Sequence, residues 1–149
     1  MAQHIVKGYR RLLEEAEAKI TTLSAEDAMA RHKDGSAVLV DLRDIRELRR
    51  EGRIPGAEHC PRGMLEFWID PESPYHKPVF AKDKTFIFFC AAGWRSALAA
   101  RTAQEMGLSP VAHIGGGFAA WKTAGGEVET PEPGNDRARA TPAPGDATA

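Results

Sequence analysis

The sequence has 149 residues, of which 42% are hydrophobic and 28% charged, and its formal net charge is -1. That length supports one domain with a substantial core, and the balanced charge gives no field that would attract nucleic acid or an acidic membrane. No apolar run is long enough to span a membrane and residues 1–20 contain no apolar signal core, so we expect a cytoplasmic protein. The two cysteines, Cys60 and Cys90, form no CxxC pair, which argues against a disulfide framework or a zinc site.

The first predicted element is a helix over residues 5–19, within an N-terminal helical extension at 1–19. Ile5, Tyr9, Leu12, Leu13 and Ala16 form one apolar stripe, and charged residues occupy the other faces. This stripe predicts docking against the rest of the chain; the alternative is a surface for a partner or for self-association.

Short apolar strands then alternate with helices as far as residue 128. The predicted strands are 20–23, 37–41, 57–60, 86–89 and 110–114, and the predicted helices are 25–31, 45–51, 61–68, 96–106 and one that follows Gly115. This alternation predicts one α/β domain over 20–128, with a mainly parallel five-stranded sheet flanked by helices on both faces. Residues 129–149 are mostly Pro, Ala, Gly, Thr and charged residues, which predicts a disordered tail.

The most informative stretch runs from Phe86 to Ser96. An apolar strand ends at Cys90, and an alanine-rich helix follows after a tight loop. Such a loop directs backbone N–H groups and the positive end of the helix dipole at one point, which favours a thiolate and predicts that Cys90 is a nucleophile. Gly93 is expected to take a positive φ, Arg95 to bind an anionic substrate, and Ser96 to cap the helix.

Two other groups are predicted at the same edge of the sheet, because the carboxyl ends of parallel strands lie together. Asp41 and Arg43 follow the second strand, and a glycine turn from Gly115 follows the last strand. Asp41 is expected to hold loop backbone, and Arg43 to pair with Glu47 four residues further on. His113 is expected to pack at the end of its strand.

The loop resembles the active loop of the rhodanese family of sulfurtransferases, Cys-x-x-Gly-x-Arg-Ser, which is matched by Cys90, Gly93, Arg95 and Ser96. The resemblance extends over residues 21–128. It includes an Asp-x-Arg at 41–43, a Gly-His-Ile-Pro-Gly-Ala pattern at 52–57 in which Arg53 replaces the histidine, and a Gly-Gly-Phe-x-x-Trp at 116–121.

The resemblance implies a rhodanese-like fold and a thiosulfate sulfurtransferase-like enzyme. Cys90 would take a sulfane sulfur from thiosulfate or another persulfide donor, hold it as a persulfide and pass it to a thiol or cyanide acceptor. A protein could serve as sulfur donor or acceptor, and no metal, organic cofactor, nucleic acid or membrane is implied. The site residues would be Cys90, the loop Ala91, Ala92, Gly93, Trp94, Arg95 and Ser96, whose amides would surround the sulfur, and the supporting Asp41 and Arg43.

Three residues leave alternatives open. Efficient thiosulfate users in the family often carry arginine where this chain has Ala91, so the donor is either thiosulfate or another persulfide. Trp94 either selects an apolar acceptor or covers the pocket. Cys60 is expected to pack as a small apolar residue; the alternative is that it resolves the persulfide or forms a disulfide with Cys90.

Loop length separates sulfur transfer from phosphate hydrolysis. In phosphatases of similar fold and in protein tyrosine phosphatases, the arginine lies six positions after the cysteine, whereas Arg95 is the fifth residue after Cys90. The shorter loop suits one sulfur atom better than a phosphoryl group, and no general acid is evident. We therefore expect a sulfurtransferase. The alternatives are a sulfur-relay or regulatory module that depends on a partner, and a phosphatase or arsenate-type enzyme.

Overall fold

A computed structural model describes residues 2–131 of the protein. Strands and helices alternate through this part of the chain, with two short 3₁₀ turns at Arg62–Met64 and Pro78–Ala81. The elements are α1 Tyr9–Lys19, β1 Thr21–Leu23, α2 Ala25–Lys33, β2 Ala37–Asp41, α3 Ile45–Glu51, β3 Glu58–His59, α4 Leu65–Ile69, β4 Thr85–Phe89, α5 Trp94–Met106, β5 Val111–Ile114 and α6 Gly117–Thr123.

The five strands form one sheet in the order β1-β5-β4-β2-β3, and every neighbouring pair is parallel. β4 lies at the centre, where Phe88 is paired with Val40 on one side and His113 on the other. An almost wholly apolar strand occupies this position because both of its faces are covered. The predicted parallel α/β sheet is thus confirmed.

Side chains of the strands alternate between two cores, one on each face of the sheet. Phe86 and Phe88 pack with residues of α4 and α5, and Ile87 and Phe89 pack with residues of α2 and α6. Leu13 of α1 contacts the first core. Helices therefore cover both faces, as the sequence predicts.

The N-terminal helix docks on its own chain along α5. Ala16 is buried, and the amide of Gln104 donates to the Lys19 carbonyl oxygen at 3.0 Å. The helix begins at Tyr9, so the predicted first turn from Ile5 is not helical and Ile5 is exposed. Gly8 occupies the N-cap position, where it provides no capping side chain.

The chain beyond α6 is anchored by Arg53. The backbone of Arg53 exchanges hydrogen bonds with Glu129 at 2.8 and 2.9 Å, and the two side chains form an ion pair at 2.8 Å. The predicted disordered tail at 129–149 therefore begins with a residue that is held in place, and the rest of that prediction, beyond residue 131, lies outside the described residues. None of the described helices combines the length and apolarity needed to cross a membrane.

Candidate active site

Cys90 lies at the carboxyl end of the central strand and is only 1% exposed. Its Sγ accepts a hydrogen bond from the Gly93 N–H at 3.2 Å. Gly93 has φ of 114°, in the left-handed region that the sequence predicts for it, and this turn folds the loop back over the sulfur. The loop therefore brings a backbone donor and the N-terminus of α5 to the thiol.

Ser96 is not the helix cap that the sequence predicts. The amide of Ala97 bonds the Gly93 carbonyl oxygen at 3.1 Å, so Gly93 takes the cap position and α5 begins at Trp94. Ser96 instead lies fully buried in the first turn. Its Oγ is 3.7 Å from Cys90 Sγ, 2.9 Å from His113 Nδ1 and 3.3 Å from the Gly93 carbonyl oxygen.

The glycine turn before α6 holds the backbone of the loop. The N–H of Phe118 donates to the Cys90 carbonyl oxygen at 2.8 Å, and the N–H of Ala119 donates to that of Ala91 at 3.2 Å. A Cβ at Gly117 would lie 2.5 Å from the Cys90 oxygen and 2.8 Å from the Ala91 oxygen. This close approach explains why the position requires glycine.

Asp41 and Arg43 form a buried ion pair beneath this turn. Arg43 Nε and Nη2 donate to the Asp41 carboxylate at 3.0 and 2.8 Å, and Nη2 also donates to the Gly52 carbonyl oxygen at 3.0 Å. The Arg43 guanidinium lies 4.0 Å from the Phe118 ring centroid, so the pair supports α6 rather than entering the pocket.

The predicted pair between Arg43 and Glu47 is wrong. Asp44 caps α3, so Arg43 precedes the helix and the two side chains lack helical i,i+4 geometry. Glu47 instead forms a bidentate pair with Arg95, at 2.7 and 3.0 Å. Sequence reasoning named Glu47 but missed its pairing with Arg95, although Glu47 belongs to a capping box shortly after a strand that ends at the site.

Charges in this cluster influence one another. The hydrogen bonds from Arg95 hold the pKa of Glu47 below its usual value, and those to Glu47 raise the pKa of Arg95. Smaller contributions from Cys90 also raise the pKa of Arg95, which places the guanidinium within reach of a charge on the sulfur. The site therefore contains a cation whose charge is partly neutralised by a neighbouring carboxylate.

His113 was expected only to pack, yet it makes two polar contacts within the site. Its Nδ1 lies 2.9 Å from Ser96 Oγ and its Nε2 lies 3.1 Å from Thr22 Oγ1. Burial lowers the pKa of His113, and the charge of Glu17 opposes that shift more weakly. The alternation of the last strand gives no sign of this role, because it does not reveal which groups lie opposite.

The remaining predicted residues differ in their surroundings. Ala92 is exposed, and the Trp94 side chain, 60% exposed, packs on the ring of Tyr9 with centroids 4.9 Å apart. Trp94 thus forms a rim that α1 supports. Cys60 is a free, buried thiol whose pKa burial raises to about 12, which fits its expected packing role. Residues 2–131 contain no cluster of three metal-binding side chains.

Comparison with known proteins assigns the fold to a family. A family model described as the rhodanese-like domain matches residues 24–124. The chain belongs to the rhodanese-like domain family. Membership of this family supports a sulfurtransferase-type function in general terms. The matched region includes both the Cys90 loop and the glycine turn that holds it.

The chain resembles individual proteins of different descriptions. It is 30% identical over 91 residues to the mouse thiosulfate sulfurtransferase/rhodanese-like domain-containing protein 3, a match that spans 58% of each protein. A structure from Rhodopseudomonas palustris, of unknown function and named a possible tyrosine phosphatase, is 60% identical with a TM-score of 0.84, covering 87% of this chain and 99% of that one. A thiosulfate sulfurtransferase from Pseudomonas aeruginosa is 27% identical with a TM-score of 0.67, covering 83% of this chain and 23% of that one.

Proposed function

We propose that the protein is a sulfurtransferase that carries a sulfane sulfur as a persulfide on Cys90. The observation that carries this proposal is the Gly93 N–H donating to Cys90 Sγ at 3.2 Å, inside a loop that ends at the N-terminus of α5. A donor placed in this way stabilises negative charge on sulfur. It supports both the attacking thiolate and the persulfide anion that follows.

In the first half-reaction, the Cys90 thiolate attacks the outer sulfur of thiosulfate. An S–S bond forms to Cys90 as the bond to the sulfonate sulfur breaks, and the electron pair leaves with sulfite. Arg95 is the cation that binds the sulfonate, because its guanidinium is partly exposed and acts electrostatically on Cys90. Ala91 supplies no second cation, so another persulfide remains an alternative donor.

In the second half-reaction, a thiolate or cyanide attacks the outer sulfur of the persulfide. The new bond forms to the acceptor, and Cys90 leaves as the thiolate. Since Cys90 is 1% exposed, reagents reach it only when the loop and its rim give way. The rim includes Trp94, whose exposed ring favours acceptors with an apolar surface.

The test is the rate of thiocyanate formation from thiosulfate and cyanide. Cys90→Ser is expected to abolish it, because serine does not form a persulfide. Cys60→Ser is the matched control, since the second thiol is buried and has a raised pKa, and it should retain the rate. Equal rates in the wild type and Cys90→Ser would refute the proposal.

A second candidate is a sulfur-relay module that accepts sulfur from a protein partner and has a low turnover alone. The 1% exposure of Cys90 favours it, because a docking partner makes contacts with the rim that a small anion does not and can use them to open it. Intact mass distinguishes the two. An increase of about 32 Da on Cys90, one sulfur atom, that requires a desulfurase partner supports the relay. The same increase with thiosulfate alone supports the enzyme.

The name of the Rhodopseudomonas palustris relative raises phosphate ester hydrolysis as a third candidate. The carboxylates near the loop are poor general acids in this arrangement. Arg95 lowers the pKa of Glu47, and Asp41 is buried with both oxygens bound by Arg43. Hydrolysis of an aryl phosphate that disappears in Cys90→Ser would establish this activity against our proposal.

A further inference from the structure

A chain of hydrogen-bonding side chains leads from the closed active loop to the protein surface. Cys90 Sγ lies 3.7 Å from Ser96 Oγ, which lies 2.9 Å from His113 Nδ1, and His113 Nε2 lies 3.1 Å from Thr22 Oγ1. Cys90, Ser96 and His113 are buried, whereas Thr22 is exposed on the edge strand β1. The chain therefore begins at a thiol that solvent barely touches and ends at a residue exposed to solvent.

We propose that Ser96, His113 and Thr22 form a proton relay that carries the Cys90 proton to solvent while the loop stays closed. The relay would form the Cys90 thiolate that the proposed sulfur transfer needs. The purpose of the relay therefore rests on the proposed function, whereas the experiment that tests the relay does not depend on it. Ser96 contacts the reacting sulfur directly. His113 and Thr22 act through it as positioning residues.

The donor and acceptor groups of these four side chains allow two arrangements of hydrogen bonds. With Cys90 as the thiol, S–H donates to Ser96 Oγ, the Ser96 hydroxyl donates to His113 Nδ1, and His113 Nε2–H donates to Thr22. With Cys90 as the thiolate, the Ser96 hydroxyl donates to sulfur, His113 Nδ1–H donates to Ser96, and the Thr22 hydroxyl donates to Nε2. Each hydroxyl carries one proton in both arrangements.

The step between them is balanced. The thiol proton passes to Ser96 Oγ, the Ser96 proton to Nδ1, the Nε2 proton to Thr22, and the Thr22 proton to a base in solvent. One proton leaves, the sulfur gains one negative charge, and His113 changes tautomer without becoming charged. The Gly93 carbonyl oxygen competes for the Ser96 hydroxyl at 3.3 Å, but the shorter His113 contact and the charged sulfur are the better acceptors.

Burial keeps the ring neutral, as the relay requires. The ring is 3% exposed, and desolvation disfavours the imidazolium. Glu17 of α1 is the charged group that acts on the ring, and its opposing influence is weaker than the desolvation. Arg95, the residue before Ser96, acts on Cys90. A neutral ring transfers protons by exchanging tautomers.

The experiment reads the His113 tautomer directly from nitrogen chemical shifts in the full-length protein labelled at histidine. Spectra are recorded across the pH range in which Cys90 ionises, with the thiolate followed by ultraviolet absorbance against Cys90→Ala. Cys60 contributes little to this signal because its pKa is about 12. We expect the ring proton to move from Nε2 to Nδ1 as Cys90 ionises.

Three other histidines provide internal references, since a carbonyl oxygen only accepts. His32 Nε2 lies 2.7 Å from the Pro55 oxygen and His59 Nε2 lies 2.7 Å from the Arg43 oxygen, so both carry hydrogen on Nε2. His76 Nδ1 lies 3.0 Å from the Trp68 oxygen and marks the other tautomer. His113 should change from the first pattern to the second.

Variants test whether the tautomer of His113 depends on the Cys90 sulfur through Ser96. In Ser96→Ala and in Cys90→Ala, His113 should keep one tautomer throughout the titration, because its connection to an ionising sulfur is lost. Thr22→Ser retains the exit hydroxyl and should behave as the wild type. One unchanged tautomer in the wild type, protonation of both nitrogens, or a tautomer exchange that survives in Ser96→Ala would overturn the relay. Thiocyanate formation without the exchange would refute the relay alone, and the exchange without thiocyanate would support it and refute the proposed activity.

Discussion

Replacing Glu47 by glutamine should improve the binding of an anionic sulfur donor. Glu47 accepts from the two terminal nitrogens of the Arg95 guanidinium, Nη1 and Nη2, at 2.7 and 3.0 Å, so the anion site is close to neutral in the structure. Glutamine retains an oxygen that can accept from Arg95 and from the Asp44 N–H, which Glu47 contacts at 3.2 Å. The substitution therefore removes one negative charge with little change in shape.

The size of the gain follows from Coulomb's law. A unit charge ~10 Å from the bound anion contributes ~1.7 kcal/mol at an effective dielectric of ~20, and screening with a Debye length of ~10 Å reduces this to about 0.6 kcal/mol. We therefore expect kcat/KM for thiosulfate to rise about 3-fold. The half-exposed pair contributes little to folding, so the cost in the free energy of unfolding should be under about 1 kcal/mol.

The assay measures thiocyanate formation against thiosulfate concentration at low and high salt. Glu105→Gln is the matched control, because it makes the same charge change in an ion pair with Arg101 at the far end of α5. The gain should appear in Glu47→Gln alone and should shrink as salt increases. An unchanged or lower kcat/KM in a variant of normal stability would refute the view that Glu47 masks the charge of Arg95.

Three further variants test the supports of the site. Gly117→Ala should abolish activity and lower the free energy of unfolding, measured by chemical denaturation, by about 2 kcal/mol or more, because its Cβ meets the Cys90 carbonyl oxygen. Gly125 is the control, since it has a similar positive φ and nothing lies within 4 Å of its Cβ position. Gly125→Ala should lower the free energy of unfolding by about 1 kcal/mol and keep activity. The pKa of Cys60 is raised from 9.0 to about 12 in the folded state, so stability should fall by about 1.4 kcal/mol per pH unit above pH 9 and the slope should shrink in Cys60→Ala. Asp41→Asn should lower the free energy of unfolding by about 3 kcal/mol or more because the Arg43 guanidinium would stay buried without its counter-charge; a loss below about 1 kcal/mol would contradict this.

The local features of the site could be predicted because they depend on neighbours in the sequence. The apolar run before Cys90 requires a strand covered on both faces, and Gly93 allows the positive φ that turns the loop. The parallel direction of the strands followed from their alternation with helices, whereas their order in the sheet was not predicted. The cap of α5 was predicted wrongly at Ser96, because several nearby residues could begin the helix and a left-handed glycine took the position.

The partners of the charged and polar side chains could not be predicted in the same way. Arg95 and Glu47 are 48 positions apart, and Ser96 in the first turn of α5 contacts His113 of β5. Their pairing depends on how α3 and β5 lie beside the start of α5. A long side chain can also reach several acceptors, and the sequence does not show which one it binds. Arg43, for example, binds Asp41 and not the expected Glu47.

The sequence by itself determined the sheet, its helices and the position of Cys90 at the end of the central strand, because strand period, helix period and glycine conformations are set by residues close together in the chain. The tertiary structure alone decided that Glu47 pairs with Arg95 and that Ser96, His113 and Thr22 form a chain of contacts leading from the thiol. These contacts form where separate elements converge at one edge of the sheet. The energies of hydrogen bonds and ion pairs depend on the distances between the groups, and only the folded chain defines those distances.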